Sequence, residues 1–300
     1  MLFTEEEMDK IKIGVIGGSG FYKMEGVKII GEKEINTPFG KPSDKYIIGE
    51  IEGKKVAFLS RHSRGHRILP SEINYRANIY GFKMLGVERI ISVSAVGSLK
   101  EEIRPLDMVI VDQFFDRTTK RESSFFGEGI VAHISFAEPT CPKMREIIYK
   151  TVKEMGLRVH EKGTYINMEG PQFSTKAESN TYRKLGFDII GMTNGTEAKL
   201  AREAEICYST IALVTDYDCW KDEEEDVTVE MVINNLNNNV KNAQSVLKKV
   251  IPLIPEERDD NCSCKNALKY SIITGREYVT DDMIKKLEPI IGKYFKEEIK

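Results

Sequence analysis

The 300-residue chain carries 44 Lys and Arg against 47 Asp and Glu, giving a formal net charge of −3, and 41% of its residues are hydrophobic. This near balance of charge excludes a broad basic surface for nucleic acid or an anionic membrane, so any anion has to be bound by a few local side chains. The hydrophobic share is ample for a buried core, in one large domain or two smaller ones.

The amino-terminal sequence predicts neither a secretory signal nor a membrane anchor. The first ten residues are acidic and have no apolar h-region, and no apolar run approaches the roughly 20 residues that a membrane span needs. We therefore expect a soluble, cytoplasmic protein with no membrane or nucleic-acid partner.

A glycine-rich turn follows the first predicted strand, which runs from Lys12 to Ile16. The turn, Gly17-Gly18-Ser19-Gly20, offers backbone N–H groups and the Ser19 hydroxyl to an anion, and a plain tight turn is the alternative. It lacks the G-x-G-x-x-G spacing and has no Gly-Lys-Ser/Thr, so neither a dinucleotide-dependent oxidoreductase nor a P-loop protein is predicted.

The densest group of cationic and titratable side chains follows a predicted hairpin over 45–59. This group is S-R-H-S-R-G-H-R at 60–67, and it contains His62 and His66, two of the four histidines of the chain, beside Arg61. A guanidinium next to an imidazole suits a phosphate oxyanion. We therefore favour an anion site here over a solvated basic loop.

Strands continue to alternate with helices, which predicts a single α/β domain. The predicted elements are a helix from an N-cap at Ser71 to Leu85, a strand from Arg89 to Val93 followed by a turn at 94–98, a strand from Met108 to Val111, a helix from Lys143 to Met155, a strand from Gly163 to Met168, a helix from an N-cap at Ser174 to Leu185, and a strand from Phe187 to Ile190. Met192, with polar neighbours, suits a sugar or base surface better than a core. His133, taken alone, is interpreted as structural.

Two carboxylates end the most apolar run of the chain. Residues 207–214 show no polar alternation, which predicts a central strand that is covered on both faces. Asp216 and Asp218 follow where that strand surfaces, and ligands of open α/β sheets bind at such carboxyl ends. The alternative is a polar turn in which Asp218 caps the next helix.

The carboxyl-terminal part begins with a long helix from an N-cap at Thr228 to Val250. We expect the main domain to cover residues 1–255, and residues 256–300 to form an extension that contains Cys262-Ser263-Cys264, packs on the same domain and includes a short helix from Thr280. Five cysteines are an odd number, and none of the four histidines neighbours this pair, so no metal site is predicted. Disulfides inside cells are mainly a hyperthermophile feature, and the Lys, Glu and Ile content fits a thermophile.

Five predicted strand ends thus carry small, hydroxyl, cationic or acidic groups, and together they resemble one family. The segments that carry the resemblance are I-G-G-S-G-F, S-R-H-S-R-G-H-R-I-L-P-S-E-I-N-Y-R-A-N, S-A-V-G-S-L, D-Q-F-F-D-R-T, M-E-G-P-Q-F-S-T-K-A-E-S and T-D-Y-D-C-W. They are similar to those of the trimeric purine nucleoside phosphorylases, and more closely to the S-methyl-5′-thioadenosine phosphorylase branch, over residues 11 to about 250. The fold implied is a single α/β domain with a mixed central sheet flanked by helices.

The resemblance implies a role for each candidate residue. A phosphate cage would comprise Ser19, Arg61, His62, Ser94 and Thr193; nucleoside contacts would come from Ala95, Phe173, Met192, Asp216, Asp218 and His66; Ser174 and Val229 would set the choice of base; and His133 would reach the 5′-methylthio pocket of a neighbouring subunit. The last role implies a trimer or a dimer of trimers.

The implied reaction is phosphorolysis of S-methyl-5′-thioadenosine in purine and methionine salvage, with inorganic phosphate as co-substrate and no cofactor. Asp216, its pKa raised by the nearby Asp218, would protonate adenine N7, while Asp218 would accept from the 6-amino group. Alternatives are a 6-oxopurine or methylthioinosine phosphorylase, or a non-catalytic nucleoside-binding protein.

Two departures from the family pattern and the cysteines bear on these expectations. Ser63 stands where glycine is usual, and Asn194-Gly195-Thr196 replaces an apolar-proline turn before Glu197. The Cys-x-Cys extension is similar to that of hyperthermophilic archaeal members, in which it goes with disulfides, and the resemblance also implies a Cys141–Cys207 pair.

Overall fold

The computed structural model describes residues 11–18, 21, 25–221 and 229–295, and within them one mixed sheet is flanked by helices, as predicted. The strands are β1 (Ile13–Gly17), β2 (Lys28–Lys33), β3 (Tyr46–Ile51), β4 (Lys54–Ser60), β5 (Arg89–Ser98), β6 (Met108–Ile110), β7 (Gln113–Asp116), β8 (Val159–His160), β9 (Thr164–Asn167), β10 (Ile189–Gly191) and β11 (Cys207–Asp216). The helices are α1 (Tyr75–Met84), α2 (Pro142–Glu154), α3 (Lys176–Lys184), α4 (Asn194–Glu203), α5 (Val229–Leu253), α6 (Asp281–Lys286) and α7 (Glu288–Phe295).

Strand β5 organises the sheet because it pairs with three other strands. Its full length lies parallel to β11 on one edge, and on the other edge it pairs first with β1 and then with β10. The β1 pairing is parallel and ends at Ser92, whereas the β10 pairing is antiparallel and covers Gly97 and Ser98. The carboxyl ends of β1 and β10 therefore face each other across residues 93–96. A break of this kind between neighbouring strands is where α/β proteins place ligands.

The apolar runs form the buried strands that the sequence predicts. Every residue of β1 and of β11 is buried, which explains why neither strand alternates with polar residues. The turn predicted at 94–98 is wrong, because β5 continues to Ser98 through its pairing with the equally long β11.

Helix starts differ from the predicted caps by one to three residues. The side chain of Asn74, not that of Ser71, caps α1 by accepting from the Ala77 N–H at 3.0 Å. Thr175, not Ser174, caps α3, because Glu178 three residues later completes a capping box with it. Thr280 caps α6 as predicted, and the cap predicted at Thr228 lies outside the described residues.

Two large apolar clusters cover the two faces of the sheet, as the alternation of Ile90 and Ile91 between them shows. One includes residues of α1, α4 and α7, and the other includes residues of α2 and α5. The carboxyl-terminal segment contributes Leu268 and Ile291 to the first cluster and Cys264 to the second. Among the helices in the described ranges, none has the length and apolar character needed to cross a bilayer.

Candidate active site

A cavity of about 330 Å³ opens at the break between β1 and β10, a volume suited to a small ligand. It brings together ten of the predicted site residues, which are Arg61, His62, His66, Ser94, Ala95, Phe173, Met192, Thr193, Asp216 and Asp218. The basic pair that follows β4 and the acidic pair that ends β11 thus share one cavity. Each of the five predicted strand ends thus contributes at least one residue to the cavity lining, among them Gly18, Arg61, Ser94, Met192 and Asp216.

Two predicted residues, His133 and Ser174, are not among the described residues that line the cavity, and the side chains of two more, Ser19 and Val229, are not described. Ser19 lies outside the described residues, and Val229 begins α5 with a side chain that is likewise outside them. His133 is exposed, and its backbone N–H donates to the Ser271 carbonyl at 2.8 Å. Ser174 is 9% exposed, and its hydroxyl acts to lower the pKa of the Asp218 carboxyl.

Arg61 lines the cavity and forms a buried ion pair with Glu197. Its Nη2 lies 3.1 Å from Oε2 of Glu197, its Nε donates to Oε1 of the same carboxylate, and the two residues are 3% and 1% exposed. Further bonds run from Nη1 to the Val93 carbonyl at 3.1 Å and from Nη2 to Ser92 Oγ at 2.6 Å. Burial opposes the charged form, but the Glu197 carboxylate outweighs it and raises the pKa of Arg61.

This network fixes what Arg61 can offer to a ligand. Its bonds to Glu197, Val93 and Ser92 use four of the five guanidinium N–H groups, so Arg61 contributes chiefly a permanent positive charge to the cavity. Glu197 was not predicted as part of the site. It stands 136 positions from Arg61, and the only signal in the sequence was its place in the first turn of the helix after β10.

His62 is held as a neutral acceptor. Its Nδ1 lies 2.8 Å from the carbonyl oxygen of Ile68, which can only accept, so Nδ1 carries the proton and Nε2 is left with a lone pair. Burial, and then the charge of Arg61, lower the pKa of His62 to about 4. The ring stacks on His66 with centroids 4.3 Å apart. At neutral pH the imidazole therefore suits a ligand hydroxyl more than a bare oxyanion.

The loop that carries these histidines has a strained residue. Ser63 has a φ of 61°, in the left-handed region, and its N–H donates to the Ser60 carbonyl at 3.1 Å. The glycine that is usual here by resemblance would adopt this conformation without the steric cost that a Cβ brings. Ser63 thus forms the turn in a backbone conformation that is less favourable for serine than for the usual glycine.

We expect Ser63→Gly to raise the free energy of unfolding by about 0.5–1 kcal/mol, since relief of the left-handed strain exceeds the added entropy of the unfolded chain. Urea unfolding followed by circular dichroism measures the change. Ser71→Gly, at a turn position without a positive φ, is the control and should not stabilise the chain. Equal effects of the two substitutions would contradict the interpretation.

The acidic end of the cavity is shaped by an irregularity in β11. The register against β5 shifts between Val214 and Asp216, and such bulges re-aim side chains. Asp216 accepts from the Thr215 hydroxyl at 2.6 Å and from the Asp218 N–H at 2.8 Å. A Cβ at Gly97 would lie 2.8 Å from Asp216 Oδ1, so the carboxylate needs a glycine opposite it.

At the acidic end of the cavity, Asp218 has a raised pKa. Burial raises it, and the hydroxyls of Ser179 and Ser174 oppose the rise. Among the described residues, the buried Oδ2 of Asp218 has no hydrogen-bond partner. A buried acceptor of this kind is suited to a donor on a ligand. The raised pKa expected for Asp216 stays a prediction.

The second departure from the family pattern lies behind the cavity. Asn194 is buried, and its Nδ2 donates to Ser92 Oγ and to the Tyr208 hydroxyl, at 2.8 Å each. Those hydroxyls in turn donate to Glu197. Asn194 therefore supports the Arg61 ion pair, and residues 194–196 are not among the residues that line the cavity.

The remaining walls come from residues that the sequence did not single out as site residues. They are mostly apolar or small: Gly18, Phe21, Pro70, Val93, Val96, Gly97, Met168, Ile190, Gly191, Leu213, Thr215 and Val240. Gly18, Val96, Gly97 and Thr215 lie within the predicted strand ends, and the others are spread over several elements with no shared local pattern.

Comparison with known proteins assigns the chain to a family. Residues 12–252 match the model of the phosphorylase superfamily. The chain is 57% identical to the S-methyl-5′-thioadenosine phosphorylase of Koribacter versatilis, over 96% of this chain and 98% of that protein. With the Geobacter sulfurreducens protein of the same name it shares 54%, over 94% and 98%.

Solved structures give the same assignment. A methylthioadenosine phosphorylase from an Antarctic soil metagenomic library superposes with a TM-score of 0.89 and 48% identity, over 94% of this chain and 99% of that one. A Schistosoma mansoni methylthioadenosine phosphorylase in complex with adenine gives 0.83 and 37%, over 88% and 99%. The chain belongs to the phosphorylase superfamily, and within it to the S-methyl-5′-thioadenosine phosphorylases.

Proposed function

We propose that the chain catalyses the reversible phosphorolysis of S-methyl-5′-thioadenosine to adenine and 5-methylthioribose 1-phosphate. The observation that carries the proposal is one cavity with a buried cation and a neutral imidazole at one end and two buried carboxyls at the other. Its relatives of 57% and 54% identity bear the name of this activity. No cofactor is needed for the chemistry, and salvage of purine and methionine in the cytoplasm is the context in which we place it.

The basic end suits inorganic phosphate. Hydrogen phosphate carries one O–H, which His62 Nε2 can accept, while the charge of Arg61 and the hydroxyls of Ser94 and Thr193 suit its bare oxygens. Held beneath the sugar, phosphate places negative charge against C1′ as the glycosidic bond breaks and cationic character develops there. A phosphate oxygen then bonds to C1′, and N9 of the base takes the electron pair of the broken bond.

The acidic end suits the departing adenine. As the bond to N9 breaks, electron density builds at N7, and we assign Asp216 the transfer of a proton to it. The 6-amino group is a donor that matches the buried, unpartnered Oδ2 of Asp218, again among the described residues. The hydrogen of the phosphate O–H replaces the proton that Asp216 gives up, so the balance closes without a metal or redox step.

The central assay compares methylthioadenosine with and without inorganic phosphate, with the free base followed by chromatography. We expect adenine and a sugar phosphate to form in equal amounts, and only when phosphate is present. Release of adenine without phosphate would identify a hydrolase. Cleavage of methylthioinosine but not of methylthioadenosine would identify the 6-oxopurine alternative.

Asp218→Asn is expected to reverse the preference between the two bases. An amide N–H at this position pairs with a 6-oxo group but opposes a 6-amino group, and such an unmatched buried pair costs about 1–3 kcal/mol, or roughly 10- to 100-fold in kcat/KM. We expect kcat/KM to fall by that factor for methylthioadenosine and to rise for methylthioinosine, as measured by initial rates on both substrates.

The pH profile provides a check on the same residue. Asp218 has to be ionised to accept a hydrogen bond from the 6-amino group. Because the pKa of Asp218 is raised, kcat/KM for methylthioadenosine should fall on acidification at a higher pH than an ordinary aspartate would cause. Asp218→Asn should lose this acid limb. Glu146→Gln, an exposed carboxylate on α2, is the matched control and should change neither base preference nor profile. Equal losses of kcat/KM on methylthioadenosine and methylthioinosine in the Asp218→Asn variant would contradict the assignment.

Self-association is part of the proposal, as a trimer or a dimer of trimers. Within one chain His133 is exposed and not among the cavity residues, so its expected contact with the 5′-methylthio group needs a neighbouring copy. We expect chains with His133→Ala and chains with Asp216→Asn, each weakly active alone, to regain activity when they are mixed by unfolding and refolding. At an interface between the two kinds of chain, one site can combine the intact Asp216 of one chain with the intact His133 of the other. No recovery in mixed oligomers, confirmed by mass measurement, would place His133 outside the site.

A further inference from the structure

Four of the five cysteines meet at one point that is separate from the active site. They are Cys141, Cys207, Cys262 and Cys264, here called the four-cysteine cluster, and their Sγ atoms all lie within 4.8 Å of one another. Three of them are buried and Cys262 is half-buried. All five cysteines of the chain are free thiols in the structure.

The cluster joins three distant parts of the chain. Cys141 is the N-cap residue of α2, Cys207 begins β11, and the other two lie in the carboxyl-terminal segment. Backbone hydrogen bonds hold each part: the Cys141 N–H donates to the Tyr208 carbonyl at 2.8 Å, and the Cys262 N–H donates to the Asp259 carbonyl at 3.0 Å. The sulfur positions therefore rest on ordered backbone rather than on mobile side chains alone.

The spacing of the sulfurs fits one tetrahedral ion. Zinc–thiolate bonds of about 2.3 Å place the four sulfurs of a tetrahedral site about 3.8 Å apart. The Sγ atoms of Cys207 and Cys262 are 3.4 Å apart, and no two sulfurs of the cluster are more than 4.8 Å apart. These two values lie on either side of the ideal separation. We propose that the four-cysteine cluster binds one zinc ion as a structural site.

The surroundings favour thiolates over inert thiols. Cys141 stands at the N-terminus of a 13-residue helix, whose unpaired N–H groups and dipole stabilise a negative sulfur. Four cysteine ligands leave no open position on the ion, which is the arrangement of a structural site rather than a catalytic one. Binding displaces the thiol protons to solvent and involves no oxidation or reduction.

Zinc at this position would anchor the carboxyl-terminal segment. Two ligands belong to the main domain and two to the segment that also contributes Leu268, Leu287 and Ile291 to the core. The proposal replaces the expectation of no metal site, which rested on the absence of histidines near the Cys-x-Cys pair. It also competes with the Cys141–Cys207 disulfide implied by the family resemblance, which would need an oxidant and would remove two of the ligands.

The test measures metal and thiols on the full-length chain. The protein is produced with zinc in the medium, purified under reducing conditions without chelators, and assayed by mass spectrometry for metal content. We expect about one zinc per chain, and less than about a tenth of that in the Cys262→Ser, Cys264→Ser double variant. Cys219→Ser is the matched control, because the Cys219 thiol lies outside the cluster and donates to the Ser174 carbonyl at 3.1 Å; it should retain the zinc.

A second measurement covers the case in which the double variant does not fold. Wild-type chain that has been stripped of metal under reducing conditions should take up about one Co²⁺, with the intense sulfur-to-metal charge-transfer bands of a tetrahedral thiolate site. Intact mass without reductant should show all five thiols unoxidised. Absence of zinc together with a mass two hydrogens lighter per disulfide would overturn the proposal, and so would free thiols that bind neither zinc nor Co²⁺.

Discussion

Asp216→Asn is expected to lower kcat for methylthioadenosine by about 10²- to 10⁴-fold, the usual contribution of a general acid. An asparagine side chain has nearly the same shape but cannot deliver a proton to N7. One of its two acceptor contacts, with the Thr215 hydroxyl or the Asp218 N–H, is also lost, because an amide nitrogen does not accept. Initial rates at saturating phosphate measure the change.

The leaving group distinguishes lost acid catalysis from a disturbed cavity. In a 4-nitrophenyl 5-methylthioriboside the leaving group is 4-nitrophenolate, which departs without being protonated. The Asp216→Asn variant should therefore retain most of its activity on that substrate. Glu146→Gln again serves as the charge-matched control on an exposed helix face. Equal loss on both substrates would show that Asp216 positions the sugar or shapes the cavity instead of protonating the base.

Local patterns in the sequence predicted the fold and the polar strand ends, and the family resemblance supplied most of the individual site residues. Apolar runs without alternation mark strands covered on both faces, and the polar residues that follow them must lie at one edge of a parallel sheet. Arg61 and Asp216 could therefore be placed together before the structure was known. Helix starts were off by one to three residues because several residue types cap equally well, as Asn74 does in place of Ser71.

What the sequence could not show depends on contacts between distant residues. The pairing of Arg61 with Glu197 spans 136 positions, and the four-cysteine cluster joins three separate segments. The neutral state of His62 depends on a single carbonyl, that of Ile68, and on burial beside Arg61. No spacing rule in one sequence reveals such partners, and only the packed chain decides which side chain satisfies which.

Glu197→Gln is expected to reduce the free energy of unfolding by about 3–5 kcal/mol, the cost of leaving one partner of a buried ion pair uncompensated. Arg61 would keep its charge at 3% exposure, and the new amide N–H groups would face donors of the guanidinium. The hydroxyls of Ser92 and Tyr208, which donate to the carboxylate, would lose their charged acceptor as well. Urea unfolding measures the loss.

Two comparisons identify the cause of that loss. Replacement of both partners, Arg61→Met with Glu197→Leu, should recover much of the stability because no buried charge remains, although phosphate-dependent activity should disappear. Glu146→Gln breaks the exposed pair with Lys150 and should leave unfolding unchanged within error. A double variant as unstable as Glu197→Gln would show that shape, not charge, governs this part of the core.

Phosphate itself should partly replace the missing carboxylate. In the wild-type protein Glu197 already offsets part of the charge of Arg61, so bound phosphate adds only its own binding free energy to stability. In Glu197→Gln the same anion also relieves an unpaired buried cation. We therefore expect a given phosphate concentration to raise the melting temperature of the variant more than that of the wild type, and potassium chloride at equal ionic strength to raise neither. An equal rise in both proteins would mean that the Arg61 charge does not reach the phosphate position, and the anion would then depend on His62, Ser94 and Thr193 alone.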